Sequence, residues 1–171
     1  MVRRTYDIVG EFVVNDISAG SMDPMMLKTV GGLGLTYVAM HMRGTPETMQ
    51  MMADYTDITA DVSAYFNEFE TKAQADGIKN WILDPGFGFA KTIDQNYELL
   101  RNLSSLNQFG RPILVGLSRK SMIYKKFDIT PEESLPATQV VHLQALMRGA
   151  DILRVHDVKE AKRTIELYKM V

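Results

Sequence analysis

Short apolar runs alternate with amphipathic segments along the whole chain, and this alternation predicts an α/β fold. Five of the runs have the length and the continuous apolar character of strands that are buried on both faces of a parallel sheet. They are residues 12–17, 35–41, 81–84, 112–117 and 152–156. Because a helical segment joins each pair of successive strands, we expect parallel pairing with right-handed crossovers.

The segments between these runs carry apolar residues at helical spacing. The predicted helices are residues 24–30, 58–75, 94–106, 136–148 and a last helix that opens at residue 157. Gly77 predicts the end of the second helix, Ser134 is the expected cap of the fourth, and Asp157 opens the last with the spacing of a capping box. His142, inside the fourth helix, is interpreted as structural. Residues 45–47 indicate one more helix start.

Two ways of arranging a parallel sheet fit this pattern, an open doubly wound sheet and a barrel. The turn after the first strand lacks the G-x-G-x-x-G pattern that opens a doubly wound nucleotide fold. Polar residues end every predicted strand, which favours a barrel whose site draws on many strand ends. A complete barrel has eight strands and about 250 residues, whereas the chain has 171 residues. We therefore expect an incomplete TIM (β/α)8 barrel of about five parallel strands, one domain over residues 1–171, with residues 1–11 as the tail of a preceding helix.

Composition and charge narrow the choice of partner. The formal net charge is −2 and no basic stripe is present, so nucleic acid is not the expected partner. The chain has no cysteine, which excludes disulfides and thiolate metal sites and fits a reducing cytosol. No apolar run reaches the roughly 18 residues of a membrane span, and the N-terminus lacks the apolar core of a signal peptide. We expect a cytoplasmic protein that binds small molecules and no membrane.

The first three predicted strand ends carry side chains suited to a polar heterocycle. Asn15 can donate and accept hydrogen bonds at once. Asp84 can accept two parallel hydrogen bonds, as a guanidine-like N–C–N edge requires, and Met40 can pack flat against a ring. Each segment also has a structural interpretation: an Asx turn that closes the first strand after Asn15 and Asp16, a core position for Met40, and a surface pair between Asp84 and Lys91.

The last two strand ends carry cations. Gly116 lets a ligand approach the backbone closely, and Ser118 and Lys120 can donate hydrogen bonds, although a basic loop at a helix start explains them equally well. Arg154 and His156 are two residues apart on one predicted strand and therefore face the same side. A guanidinium beside an imidazole at a helix N-terminus indicates an anion site.

Together these segments resemble the dihydropteroate synthases. The matching segments, in the same order and at similar spacing, are residues 15–20, 40–44, 84–91, 116–121 and 154–157. The resemblance covers nearly the whole chain and implies a (β/α)8 barrel enzyme. Such an enzyme joins a pterin pyrophosphate to para-aminobenzoate and releases pyrophosphate, in folate biosynthesis.

The resemblance also implies roles for the residues that line the pterin. Asn15 and Asp84 are expected to hold the amino-pyrimidine edge of the pterin, and Met40 to line its slot. Phe89 and Lys91 are expected to shape the substrate side of the site. Substrate binding is therefore expected at the ends of the first three predicted strands.

The remaining implied roles concern the leaving group and the second substrate. Lys120 is expected to contact the pterin carbonyl and a ring nitrogen, and Arg154 to flank the ring. Arg154 and His156 are expected to bind the leaving pyrophosphate, with Ser118 near the aminobenzoate. Lys120, Arg154 and His156 are thus the expected catalytic residues, because stabilising the leaving diphosphate is the main demand of this reaction.

Some implied features lie outside this chain. The family's first three strands and its metal-binding Asn have no counterpart here, so Mg²⁺ is expected only together with the substrate diphosphate, and no residue of this chain is expected to be a metal ligand. Ala90 stands where many members have Gly. A homodimer is expected. Two alternatives stay open: a pterin-binding methyltransferase, which the predicted diphosphate site disfavours, and a non-catalytic pterin-binding fragment.

Overall fold

The structure is a computed structural model that describes residues 1–44, 48 and 52–171. The strands are β1 (Val13–Asp16), β2 (Thr36–Met40), β3 (Trp81–Asp84), β4 (Leu114–Val115) and β5 (Ile152–Leu153). The helices are α1 (Val2–Val9), α2 (Met26–Leu33), α3 (Ile58–Ala75), α4 (Ile93–Arg101), α5 (Ser121–Phe127), α6 (Leu135–Leu146) and α7 (Val158–Tyr168). A 3-10 helix covers Leu103–Phe109. The helix start predicted at residues 45–47 lies outside the described residues.

The strands run parallel in the order in which they occur along the chain. β2 pairs with β1 and with β3, and β4 pairs with β5, all in parallel register. A parallel bridge between Leu83 and Ile113 joins the two groups, and the Leu83 N–H donates to the Pro112 carbonyl at 2.9 Å. The predicted alternation of strands and helices with parallel pairing is therefore confirmed, and all carboxyl ends of the strands lie at one edge.

The last two strands are shorter than predicted. The run at residues 112–117 forms a strand only over Leu114–Val115, because the chain turns after it and Lys120 N–H donates to the Leu117 carbonyl at 3.3 Å. The run at residues 152–156 forms a strand only over Ile152–Leu153. The prediction that Arg154 and His156 lie on one strand is therefore wrong, and both belong to the loop that follows β5.

The helix predicted over residues 94–106 is wrong in its second half. A capping box between Thr92 and Gln95 starts α4, which ends at Arg101, and the 3-10 helix follows it. Side chains three residues apart lie on the same face of a 3-10 helix. Leu103 and Leu106 can therefore both point into the core, where each is fully buried. Helix α5 is not among the predicted helices, although the structural interpretation of residues 116–121 as a basic loop at a helix start points to its beginning.

Two predicted helix caps precede their helices but do not act as caps. The Ser134 hydroxyl donates to the Pro131 carbonyl at 2.6 Å instead of accepting from α6. The Asp157 carboxylate binds Arg119 and makes no capping hydrogen bond to α7. Gly77, by contrast, follows α3 with a φ of 76°, as predicted for a helix end.

One part of the core lies between the sheet and helix α3. Val62 and Phe66 of α3 are completely buried, and the Phe66 ring stacks at 6.1 Å on Trp81 of β3. Phe69 stacks at 5.8 Å on Tyr37 of β2. This layer fixes the strands from one side, so that the residues at their carboxyl ends keep a defined arrangement.

Candidate functional site

The carboxyl ends of β1, β3 and β5 meet around one side chain, that of Arg154. Its Nη1 donates to Asn15 Oδ1 at 3.0 Å, and its Nη2 lies 2.9 Å from Asp84 Oδ2. Asn15 belongs to β1, Asp84 ends β3, and Arg154 directly follows β5. The structure thus brings three predicted site residues together from three separate strands.

Because Gly116 has no side chain, there is room for this guanidinium next to β4. A Cβ atom at position 116 would lie 2.7 Å from Arg154 Nη2 and 3.3 Å from its Cζ. A larger residue would therefore push the guanidinium out of its position. The close approach predicted at Gly116 is made here by Arg154 of the chain itself.

The Asp84 side chain is completely buried at the bottom of the site. Its Oδ1 accepts the Gly86 N–H at 2.9 Å, while Oδ2 has the ion-pair contact to Arg154 but no hydrogen bond of good geometry within the described residues. Burial raises the pKa of the Asp84 carboxyl, and Arg154, the Gly86 N–H and Lys120 offset part of that rise. The site therefore contains a buried oxygen that can accept a further hydrogen bond.

Lys120 lies over the loop that follows β3. Its Nζ is 4.7 Å from the centre of the Phe89 ring, a cation–π distance. A Cβ atom at Gly88 would lie 3.3 Å from Lys120 Cδ, so the lysine stem packs on that glycine. Burial and the nearby Arg154 lower the pKa of Lys120, and Asp84 opposes this shift. Lys120 and Phe89 thus lie together along one wall of the site.

Ser118 and His156 bind each other across the loops after β4 and β5. The Ser118 Oγ lies 3.0 Å from His156 Nδ1 and accepts the His156 N–H at 3.3 Å. Ser118 is buried, whereas His156 and Arg154 are exposed. The serine hydroxyl is therefore engaged in holding the imidazole, whose other nitrogen, Nε2, is not used in this contact.

Lys91 lies beneath the site and not on its surface. Its buried Nζ donates to the carbonyls of Gly86 and Phe89 at 2.9 and 3.0 Å and lies 3.0 Å from His41 Nδ1. Burial lowers the pKa of Lys91 to about 7 and that of His41 to about 2. The structure shows Lys91 fastening the loop that carries Phe89, and the surface pair with Asp84 is not formed.

Met40 lies at the floor of the site, next to Asp84. The two residues pair in register on β2 and β3, and Met40 is 1% exposed. A Cβ atom at Gly86 would lie 3.4 Å from Met40 Cγ, so the thioether packs under the turn after β3. The Tyr65 hydroxyl donates to the Met40 carbonyl at 3.0 Å and fixes the end of β2.

Sequence reasoning missed several residues that support the site. The Asp16 carboxylate accepts hydrogen bonds from Ser18 and Gly20 and from the Tyr37 hydroxyl, at 2.6 to 2.9 Å, and so fixes the turn after β1. An Asx turn closing this strand was the structural interpretation of the segment, but Asp16 was not singled out as the residue that makes it. The ion pair of Arg119 with Asp157 has no such signal, because its partners are far apart in the sequence.

The charges at the site favour an anion over a metal ion. The side chains that reach its open edge belong to Arg154, His156 and Lys120, which are cationic or neutral. Within residues 1–44, 48 and 52–171, no group of three or more His, Cys, Asp or Glu side chains could hold a metal ion. No described helix is long and apolar enough to cross a membrane.

Comparison with known proteins places the chain in a family. The family model "Pterin binding enzyme" matches residues 3–156, and the chain belongs to this family of pterin-binding enzymes. The dihydropteroate synthase of Escherichia coli K12 is 42% identical over 165 residues, which cover 95% of this chain and 57% of that protein.

Two solved structures extend the comparison. The dihydropteroate synthase of Yersinia pestis, in a sulfonamide drug complex, superposes with a TM-score of 0.90 at 37% identity, over 94% of this chain and 59% of that one. The dihydropteroate synthase of Thermus thermophilus in complex with 6HMPPP superposes with a TM-score of 0.88 at 35% identity, over 93% and 64%. The chain thus spans less than two thirds of the length of these relatives.

Proposed function

We propose that the site performs the dihydropteroate synthase reaction. In that reaction 6-hydroxymethyl-7,8-dihydropterin pyrophosphate condenses with para-aminobenzoate to give 7,8-dihydropteroate and pyrophosphate. The membership in a pterin-binding family and the 42% identity to the E. coli enzyme support this proposal. Because the chain spans 57% of that enzyme, pterin binding is the part of the function that these residues support most fully.

The contacts of Arg154 carry the proposal. A guanidinium is an N–C–N group with parallel N–H donors, and the amino-pyrimidine edge of a pterin has the same arrangement. The Arg154 guanidinium lies 3.0 Å from Asn15 Oδ1 and 2.9 Å from Asp84 Oδ2. These two oxygens therefore have the spacing that a guanidine-like edge requires, and the side chain of Arg154 takes the place of the ligand's edge.

Pterin binding then requires Arg154 to change partners. When the pterin edge occupies Asn15 and Asp84, the guanidinium is released from both oxygens. Arg154 lies two residues before His156 in the same loop, and we propose that the released guanidinium moves towards the imidazole. Arg154, His156 and Lys120 can then bind the diphosphate while Met40 lies beneath the ring.

The chemical step that we propose is dissociative. The bond between the pterin methylene carbon and the diphosphate oxygen breaks, and its electron pair leaves on that oxygen. The amine nitrogen of para-aminobenzoate then bonds to the methylene cation and loses a proton to solvent. Arg154, His156 and Lys120 stabilise the negative charge that develops on the leaving diphosphate, which is where preformed cations accelerate such a step.

Mg²⁺ would bind through the substrate and not through this chain. The described residues contain no cluster of three potential metal ligands, and the side chains nearest the proposed diphosphate position, Arg154, Lys120 and His156, include no carboxylate. We therefore assign no step to the metal. Any Mg²⁺ at this site would be held by diphosphate oxygens.

The arrangement of the strands supports a further proposal about architecture. We propose that the five parallel strands are an arc of a (β/α)8 barrel and that the chain is a single domain.

Homodimer formation is proposed through a groove of about 370 Å³ between α4, α5 and α6, where Phe127 and Val140 are 60% and 61% exposed. Sedimentation velocity tests the dimer. A cytoplasmic location is proposed because the chain has no cysteine.

Calorimetry with the pterin pyrophosphate, followed by an assay for dihydropteroate, tests the proposed function. Saturable binding with formation of dihydropteroate and pyrophosphate is the expected result. Binding without turnover would support the non-catalytic alternative, for which the 57% coverage of the E. coli enzyme is the motivating observation. The absence of any pterin binding would refute the proposal.

A further inference from the structure

The loops after β4 and β5 carry five predicted site residues, but the strands beneath them are short. β4 and β5 pair only through Leu114 with Ile152 and Val115 with Leu153. One more backbone hydrogen bond, from the Arg154 N–H to the Val115 carbonyl at 2.9 Å, follows this ladder. Side-chain contacts are therefore needed to fix the two loops relative to each other.

The strongest of these contacts is an ion pair between Arg119 and Asp157. Arg119 Nε donates to Asp157 Oδ2 at 2.9 Å and Nη2 donates to Oδ1 at 2.6 Å, which is a bidentate geometry. The two side chains are 27% and 14% exposed, so water competes with the pair only in part. Neither residue was among the predicted site residues.

The backbone of Arg119 is also held in an unusual state. Its φ is 51°, in the left-handed region that residues other than glycine adopt rarely. Its N–H donates to the Oγ1 of the buried Thr138 at 3.3 Å. Such a conformation persists where the surrounding structure fixes it, and here Thr138 and Asp157 do so from two different elements.

A second side-chain contact joins the same two loops next to the ion pair. Ser118 binds His156, and Arg119 binds Asp157, so successive residues of one loop contact successive residues of the other. Two adjacent contacts of this kind prevent the loops from sliding past each other. These contacts therefore fix Lys120 in the loop after β4 and Arg154 in the loop after β5.

The pair also compensates a charge that would disturb anion binding. Asp157 directly follows His156, and an uncompensated carboxylate there would repel a diphosphate. The hydrogen bonds from Arg119 hold the pKa of Asp157 below its ordinary value, so the carboxylate stays ionised and paired. The positive charge of Arg119 then neutralises this carboxylate and reduces its repulsion of the anion.

We propose that Arg119 and Asp157 are positioning residues that hold the loops after β4 and β5 in register and keep the anion-binding end of the site competent. Neither residue touches the ligand; both act through Lys120, Arg154 and His156. This inference rests on the proposed function, because the anion in question is the diphosphate of the pterin substrate.

Hydrogen exchange and titration with inorganic pyrophosphate on the variant Arg119→Gln test the inference. We expect faster exchange in the peptides that cover residues 116–120 and 154–157, and a loss of pyrophosphate affinity of about tenfold, as for removal of a charged hydrogen-bonding partner. Arg111→Gln is the matched control. Arg111 is a partly exposed arginine that lies 3.8 Å from Glu70 and 5.4 Å over Trp81, and its loss should leave both measurements unchanged.

The reversed pair, Arg119→Asp with Asp157→Arg, is the second variant. Aspartate tolerates a left-handed backbone, and Asp157 makes no capping bond whose loss would confuse the result. The reversed pair should recover most of the exchange protection that Arg119→Gln loses. Unchanged protection in Arg119→Gln, or no recovery in the reversed pair, would overturn the inference. A parent chain that binds no pterin pyrophosphate would instead refute the proposed function, and the exchange data would still decide the role of the ion pair.

Discussion

Replacing Asp84 with Asn is the most informative single change. The substitution keeps the volume of a completely buried side chain and keeps an oxygen that can accept the Gly86 N–H, now bound by Oδ1 at 2.9 Å. It removes the negative charge and turns the other oxygen, which faces Arg154 at 2.9 Å, into a donor. The pterin edge presents donors at that position, so two donors would meet.

The size of the effect follows from this geometry. A hydrogen bond to a charged group contributes about 1.5–3 kcal/mol, which corresponds to roughly 10- to 150-fold in affinity. Arg154 competes for the same oxygen in the unliganded parent, and this competition disappears in the variant. The net loss should therefore lie near the lower end of that range, at about tenfold.

The assay is calorimetric titration of both proteins with the pterin pyrophosphate, beside thermal unfolding to confirm that the variant is folded. Asp151→Asn is the matched control, because Asp151 Oδ2 accepts the Ile113 N–H at 2.8 Å before β5, at the opposite edge of the sheet. We expect its pterin affinity to match the parent. An affinity of folded Asp84→Asn within twofold of the parent would refute the assignment of Asp84 to the pterin edge.

Three further changes test other parts of the account. Gly116→Ala should strengthen pterin binding, because its Cβ would lie 2.7 Å from Arg154 Nη2 and displace the guanidinium that competes for Asn15 and Asp84, whereas Gly32→Ala, with open space around its Cβ, should leave the affinity unchanged; titration of both decides. Phe66→Ala should lower the free energy of unfolding by about 3–5 kcal/mol in urea denaturation, and a loss under 1 kcal/mol would contradict the core assignment. Lys91 has a folded-state pKa of about 7, below its unfolded value, so unfolding takes up a proton between about pH 7 and 10.5. Stability of the parent should therefore rise with pH in that window relative to Lys91→Met, and parallel curves would contradict the shift.

The fold was largely predictable because its signal is local. Continuous apolar runs identified the five strands of the described residues, since strands covered on both faces need no polar alternation. The errors arose where tertiary contacts decide the outcome. β5 ends at Leu153, and the side chain of Arg154, the next residue, contacts Asn15 and Asp84. These partners are distant in the sequence, so no local pattern contains that information.

The candidate site was predictable in its membership but less so in its contacts. Residues at strand ends were identifiable because parallel strands bring their carboxyl ends to one edge. The role of Lys91 was not predictable. Its buried position beneath its own loop depends on the contact with His41, 50 residues earlier in the chain. The ion pair of Arg119 with Asp157 joins residues that are 38 positions apart, and each alone resembles an ordinary surface charge.

The position of Arg154 in a crystal structure of the chain with bound pterin pyrophosphate tests the central claim most directly. The account predicts that the amino-pyrimidine edge of the ligand contacts Asn15 and Asp84 and that the guanidinium has moved from those oxygens to the diphosphate beside His156. A bound pterin elsewhere on the molecule, with Arg154 still on Asn15 and Asp84, would contradict it.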